Sequence, residues 1–254
     1  MEQERDGIPE QVLDHPAVLE LGVAFWNEWR LQNPETRPRL SNVVLRDGSF
    51  VKAAFHGADL RGVDFSGSNL FRADLRDADL AGANLEDVDL FSADLRRANL
   101  IGAVLKSAEL LEARLDAARL CRANLERAYF RMAGLCGTDL RKASLRRADF
   151  NQADLSGADL RHADLWMADF LKAKLVRADL REANFMRTNL AGADLSEATL
   201  EGAGDLTVEQ LAAVKTLYKT KLDPELADPI QAACPWLFEE PKPEPEDDEL
   251  EACA

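Results

Sequence analysis

Three histidines and two tyrosines in 254 residues leave few side chains from which a proton-transfer or metal centre could be assembled. GxGxxG, GxSxG, GxxxxGK(S/T) and HExxH, the spacings that cradle phosphates, expose a nucleophile or hold zinc, are all missing. No catalytic residue, cofactor or metal is therefore expected. The four cysteines, Cys121, Cys136, Cys234 and Cys253, form no CxxC pair and follow no regular spacing. That suits unpaired thiols in a reducing cytoplasm better than a disulfide framework. There is also no run of about 18 apolar residues, and the opening MEQERDGIPEQ is acidic where a leader would be basic and then apolar. Neither membrane spanning nor export is expected.

Acidic residues are plentiful, but they are unevenly placed. The formal charge of −15 divides into −5 for residues 1–37, −2 for residues 38–205 and −8 for residues 206–254. The long middle is nearly neutral, so the bulk charge says little about its partners.

That middle is a repeat. From Leu40 to Leu200 every fifth residue is Leu or Phe, 33 consecutive positions without exception. Two residues before each stands a small residue, usually Ala, as in Ala73-Asp74-Leu75 and Ala78-Asp79-Leu80. Ala, Leu, Arg and Glu favour helix, but five residues advance a helix by about 140° beyond a full turn, which spirals the leucines around the whole surface. A continuous strand fails too, because an odd repeat sends successive leucines to opposite faces. A chain that turns once per pentad escapes both problems: Ala and Leu share parity within a pentad, and a corner restores the phase. Asp and Asn beside the central residue suit such corners, since their side chains bond nearby backbone.

This A(D/N)LXX pattern, over about two thirds of the chain, resembles the pentapeptide-repeat family. The resemblance implies an all-β fold, a right-handed quadrilateral parallel β-helix with four pentads per coil. Gly62, Gly82 and Gly102 recur at that interval, as do Phe71 and Phe91. About eight coils would make a rod roughly 40 Å long.

A solenoid exposes unpaired edges at its ends and needs caps. Residues 1–37 are expected to form a helical N-terminal cap, with Asp14 and Pro16 marking a start and Phe25, Trp26 and Trp29 laid over the first coil. The run WNEWRLQNPETRPRLS resembles a lead-in to the repeats of other family members. Residues 38–205 are the solenoid. Residues 206–238 are expected to form a helical C-terminal cap: Thr207 and Gln210 match a capping box, and Leu211, Val214, Leu217, Tyr218 and Leu222 recur at helical spacing. Dimerisation through that helix is the alternative, since relatives of this fold dimerise there. The stretch 239–254, EEPKPEPEDDELEACA, is expected to be a disordered acidic tail.

Stacking the pentads four to a coil brings out three features. Asp139, Asp159 and Asp179 would form a column with Arg141, Arg161 and Arg181 beside it, read as a solvated ion ladder. Val51, Phe71, Phe91 and Leu111 share the outward position after the central residue, where the repeat is otherwise polar. They form either an interface, with a protein partner or a second copy, or a ladder that steadies neighbouring coils or lies under the N-terminal segment. Finally, residues 96–147 carry +7 whereas residues 59–94 carry −6. Arg119, Arg122, Arg127, Arg141, Lys142, Arg146 and Arg147 map to two adjacent faces, with Trp166 and Met167 one coil beyond the last two. They read as local ion pairs or as a patch for an acidic partner, and Trp166 is placed for a cation–π contact.

Together these features favour a non-catalytic scaffold that presents side chains to a protein partner. The alternative implied by the resemblance is a DNA mimic that protects or inhibits a topoisomerase such as gyrase. Such a mimic should be acidic along its length, and the quinolone-resistance members often carry loops, which the 33 unbroken pentads lack. Direct binding of nucleic acid or membrane is not expected. Circular dichroism should be dominated by β structure with a minor helical part; a mainly helical spectrum would refute the pentad reading.

Overall fold

The computed structural model describes residues 15–241. The expected tail, from residue 242 on, lies outside the described residues, as do residues 1–14.

From Arg39 onward, one residue in five forms a parallel bridge to the equivalent residue four pentads later, as Asp59 does to Asp79, Asp64 to Asn84, Asn69 to Asp89 and Asp74 to Asp94. One bridge per pentad, each reaching four pentads ahead, gives every coil four sides. Each side contributes one bridging residue rather than an extended strand, so the β-solenoid holds little strand in the ordinary sense. The main-chain bonds nonetheless run the length of the rod: Leu60 N–H donates to Asp79 O at 2.8 Å, Gly62 N–H to Ala81 O at 3.0 Å and Asp79 N–H to Ala58 O at 2.9 Å. Groups that a lone pentad would leave unpaired are thus satisfied by the coils above and below.

The repeat's inward positions fill the interior. The central Leu or Phe residues from Leu60 to Leu200 are enclosed completely or nearly so, and the small residues two positions earlier are buried with them. Phe130, Phe150 and Phe170 stack in one column at 4.7 and 4.8 Å, with planes 4° and 8° apart, so the ring spacing matches the coil spacing. Where a hydroxyl replaces the inward Ala, it finds a carbonyl: Ser68 Oγ donates to Leu45 O at 2.6 Å, Thr138 Oγ1 to Leu115 O at 2.9 Å and Thr188 Oγ1 to Leu165 O at 2.8 Å. Gly48 takes the inward small position because the Phe50 ring already occupies the space; a Cβ there would meet its Cε2 at 2.5 Å.

Corners lie at the two residues after each central one. Ala73 N–H donates to Leu70 O at 2.9 Å, closing a turn over Phe71 and Arg72. The second turn residue has positive φ, 55° at Arg72 and 60° at Arg97, the sign expected for the third residue of a type II turn. Asp and Asn, expected at the corners, stand instead at the bridges on the sides. They act on the corner from there, as Asn69 Oδ1 accepts from Phe71 N–H at 2.8 Å and Asp149 Oδ1 from Asn151 N–H at 2.9 Å.

At the lower end, helices α1 (His15–Glu20) and α2 (Val23–Gln32) are separated by Gly22, whose φ of 99° only glycine adopts readily. Trp26 of α2 is fully buried, 5.6 Å from Phe55, and its Nε1 donates to Ala54 O at 3.0 Å. Arg30 is buried as well; its Nη1 donates to Thr36 O at 2.6 Å and its Nη2 to His56 O at 3.0 Å, tying the linker to the first coil.

The upper end differs from the expected long helix. The capping box of Thr207 and Gln210 is present, but α3 (Val208–Ala212) ends after five residues. The chain then resumes the solenoid with a register two residues longer, Asp194 pairing with Thr216 and Thr199 with Lys221. Leu217, read as part of a helical stripe, is buried because its segment is a coil; its N–H donates to Leu237 O at 2.6 Å. Helix α4 (Pro224–Ala233) and a 3-10 turn (Pro235–Phe238) follow, and they bury Ile230 and Leu237.

Phe150→Ala should lower the unfolding free energy by about 3–5 kcal/mol, because its column neighbours cannot close the gap, while Phe150→Leu should cost less than half of that. Urea denaturation of the three proteins would show it.

Candidate interaction surfaces

With the interior filled, what distinguishes one stretch of rod from another is its corners. Val51, Phe71, Phe91 and Leu111 follow one another up a single corner as the first turn residue, and all four are half-buried. The Phe71 and Phe91 rings lie 5.4 Å apart at 30°, and the Arg72 guanidinium sits 5.0 Å over the Phe71 ring. Helix α2 meets the rod below them, where Asn27 Nδ2 donates to Lys52 O at 3.0 Å and Asn27 Oδ1 accepts from Ala54 N–H at 2.8 Å.

Two further apolar side chains extend this corner, and sequence reasoning missed both. Tyr129 takes a bridge position that usually holds Asp or Asn and is 42% exposed; Met132 is a second turn residue and is 58% exposed. Each breaks the repeat's polar rule, a signal available in the sequence. Leu21, Phe25 and Leu31 of the N-terminal cap are also exposed.

The basic residues divide by what they touch. Arg141 donates to Asp139 through Nε at 2.8 Å and Nη2 at 2.7 Å, and its Nε lies 3.6 Å from Asp159. Arg161 repeats this with Asp159 and Asp179, so the column is a continuous ladder of alternating charge. The stacked carboxylates are also relieved by amides one coil above, as Asn99 Nδ2 donates to Asp79 Oδ1 at 2.8 Å. Arg146 lies 3.5 Å from Asp164. Trp166 is half-buried, with the guanidinium groups of Arg146 and Arg147 at 4.8 and 4.9 Å from its ring; Met167 beside it is exposed. Arg119, Arg122, Arg127 and Lys142 form no ion pair among the described residues. Arg119 still acts on Asp139, whose carboxyl is held below its usual range mainly by the Arg141 hydrogen bonds. Cys121, Arg122, Arg141, Lys142, Arg161 and His162 line an open groove of about 280 Å³.

Cys136 is a poor nucleophile, because burial and then a hydrogen bond to Asp154 push its thiol up to about 11. Among the described residues, no group of three or more His, Cys, Asp or Glu side chains could hold a metal ion, and no helix is long and apolar enough to cross a membrane.

The family model of pentapeptide repeats matches in eight copies between residues 39 and 203. The chain belongs to the pentapeptide-repeat family. Among solved structures this pentapeptide-repeat protein is similar to HetL, a protein involved in heterocyst differentiation regulation from the cyanobacterium Nostoc sp. strain PCC 7120. The identity is 33% over 70% of this chain and 92% of that one, with a TM-score of 0.33. Full-length QnrB1, a plasmid-mediated fluoroquinolone resistance protein, matches at 19% identity over 78% of this chain and 98% of its own, TM-score 0.45. A pentapeptide-repeat protein of the Arabidopsis thaliana thylakoid lumen matches at 28% over 55% and 66%, TM-score 0.18. No curated protein matches the chain.

The side carboxylates of this pentapeptide-repeat protein make its stability depend on acid. Arg61 holds Asp59 below the usual carboxylate range and Arg181 does the same to Asp179. Burial pushes Asp64 up, but hydrogen bonds from Arg46 and Ser66 outweigh it and bring the group to about 2. Because these folded-state values lie below the unfolded ones, their stabilisation is complete above about pH 4 and is lost as pH falls toward about 2. The urea midpoint should therefore drop over that window, and less steeply in Arg46→Met. A flat midpoint from about pH 5 to about 2 would contradict the ladder's role.

Proposed function

We propose that this protein is a non-catalytic interaction scaffold, a rigid rod whose corners present side chains to a protein partner. The observation that carries the reading is the apolar corner: Phe71 and Phe91 stack where the repeat is otherwise polar, and Tyr129 and Met132 flank the same corner one coil beyond Leu111. Contiguous apolar surface of this kind commonly marks an interface. The thiols of Cys121, Cys136 and Cys234, unpaired among the described residues, fit a cytoplasmic setting.

The topoisomerase-directed alternative asks for acidic charge along the rod to stand in for phosphates. The repeat region sums to only −2, and its cations gather in residues 96–147. The scaffold reading needs no such charge.

Phe71→Ser with Phe91→Ser separates an interface from a stabilising ladder. For an interface, self-association measured by light scattering, or recovery of bound protein in a pulldown, should fall about tenfold or more. The melting temperature should then shift by less than about 10 °C. If association is unchanged and only the melting temperature falls, the corner serves the rod itself.

A further inference from the structure

We propose that the basic side of the rod around Arg122, Lys142, Arg127 and Arg147 is the docking site for an extended acidic polypeptide segment of a partner protein. This deepens the scaffold reading and rests on it, but it uses a different side of the rod from the Phe71 corner, so the two can fail separately.

The four cations are second turn residues, held at φ of 59–60° and exposed. Arg122 and Lys142 stand one coil apart on one corner, Arg127 and Arg147 one coil apart on the next. Two rows of positive charge therefore run up the rod in steps of about 4.8 Å, separated by one side, about 10 Å. Between them lie Asn124 and Ser144, half-buried and able to hydrogen-bond. Arg122, Lys142 and Arg127 have no carboxylate partner among the described residues, unlike Arg141 and Arg161 in the same groove, which the aspartate ladder holds in place. Like-charged side chains left unpaired on adjoining coils repel one another, and an anion lying between the rows relieves that.

Main-chain groups on this side are already used. Leu125 N–H donates to Ser144 O at 2.8 Å and Ser144 N–H to Ala123 O at 3.0 Å, so a partner strand cannot add to it. Recognition must come through side chains. An extended peptide places alternate side chains about 7 Å apart, within reach of long Arg and Lys side chains on successive coils.

Nucleic acid fits less well. The aromatic ring on this side, Trp166, is covered by Arg146 and Arg147 and cannot receive a base. The rows also span too few coils for the many phosphate contacts that drive such binding.

The test uses the full chain with a fluorescent deca-glutamate peptide and an oligo(dT) of the same length, followed by anisotropy at about 50 mM salt, where such attraction is weakly screened. Arg122→Glu with Lys142→Glu should weaken peptide binding about tenfold or more, while Lys52→Glu with Lys221→Glu, the same change of net charge elsewhere, should alter it less than about threefold. Glu already occupies the same left-handed position at Glu182 and Glu197, so the reversals are compatible with the fold; if melting shifts, Arg122→Gln with Lys142→Gln gives the same comparison. The proposal is overturned if the peptide does not bind, if both pairs weaken it equally, or if the oligonucleotide binds more tightly than the peptide.

Discussion

Everything in this molecule depends on a hydrogen-bond register of four pentads between successive coils. Each pentad gives and receives main-chain bonds with the pentads one coil before and one coil after it, so no side can gain or lose a residue without moving its neighbours out of step. The interior inherits the same restriction. Its columns accept Leu or Phe at one position and Ala, Val, Ser, Thr or Gly at the other, and rings that share a column, such as Phe130, Phe150 and Phe170, stack at the coil spacing. The register changes only where the rod ends. There α3 replaces a side, the offset grows by two, and α4 closes over the result.

Much of this is legible in the sequence, because the parity argument alone places Ala and Leu inside and forces a corner per pentad. Periodicity does not supply the number of sides, which comes from the resemblance. Two local expectations fail for physical reasons. Asp and Asn suit corners because they bond nearby backbone; they do bond it, but from the bridge position, reaching forward to the N–H two residues on. Leu211, Val214 and Leu217 have the spacing of a single helix. Docking on the last coil overrides that preference, and Thr216 and Lys221 bridge to the coil below.

The surface is legible in proportion to how far a residue departs from the repeat. Phe71 and Phe91 stand out because an outward position should be polar. Tyr129 and Met132 belong to the same stripe but sit at other pentad positions, so a search down one column passes over them. The basic cluster shows a different limit. A sequence counts charges without pairing them, and Arg141 and Arg146 turn out to be engaged by aspartates whereas Arg122 and Lys142 are not.

The corners themselves leave the displayed side chain open. A second turn residue at positive φ costs an ordinary L-residue about 1–2 kcal/mol, and glycine avoids this at an entropic cost of about 0.5–1 kcal/mol, so glycine is favoured on conformational grounds. Yet most corners hold something else, including Arg72, Arg97, Arg122, Arg127, Arg147, Arg177 and Arg187. Some recover the cost within the rod: Arg97 donates to Asp77 one coil below at 2.7 and 2.6 Å, and Arg177 to Glu197 one coil above at 2.9 Å. Arg122 and Arg127 have no such return among the described residues. Gly82 and Gly102 show that the same position accepts glycine, and a Cβ there would meet nothing within 4 Å, so neither crowding nor space dictates the choice. Ala117 holds the same conformation at φ 57° with no polar side chain to recover the cost, so the strain is imposed by the coil's main-chain register, and the identity of the corner side chain is left free to vary.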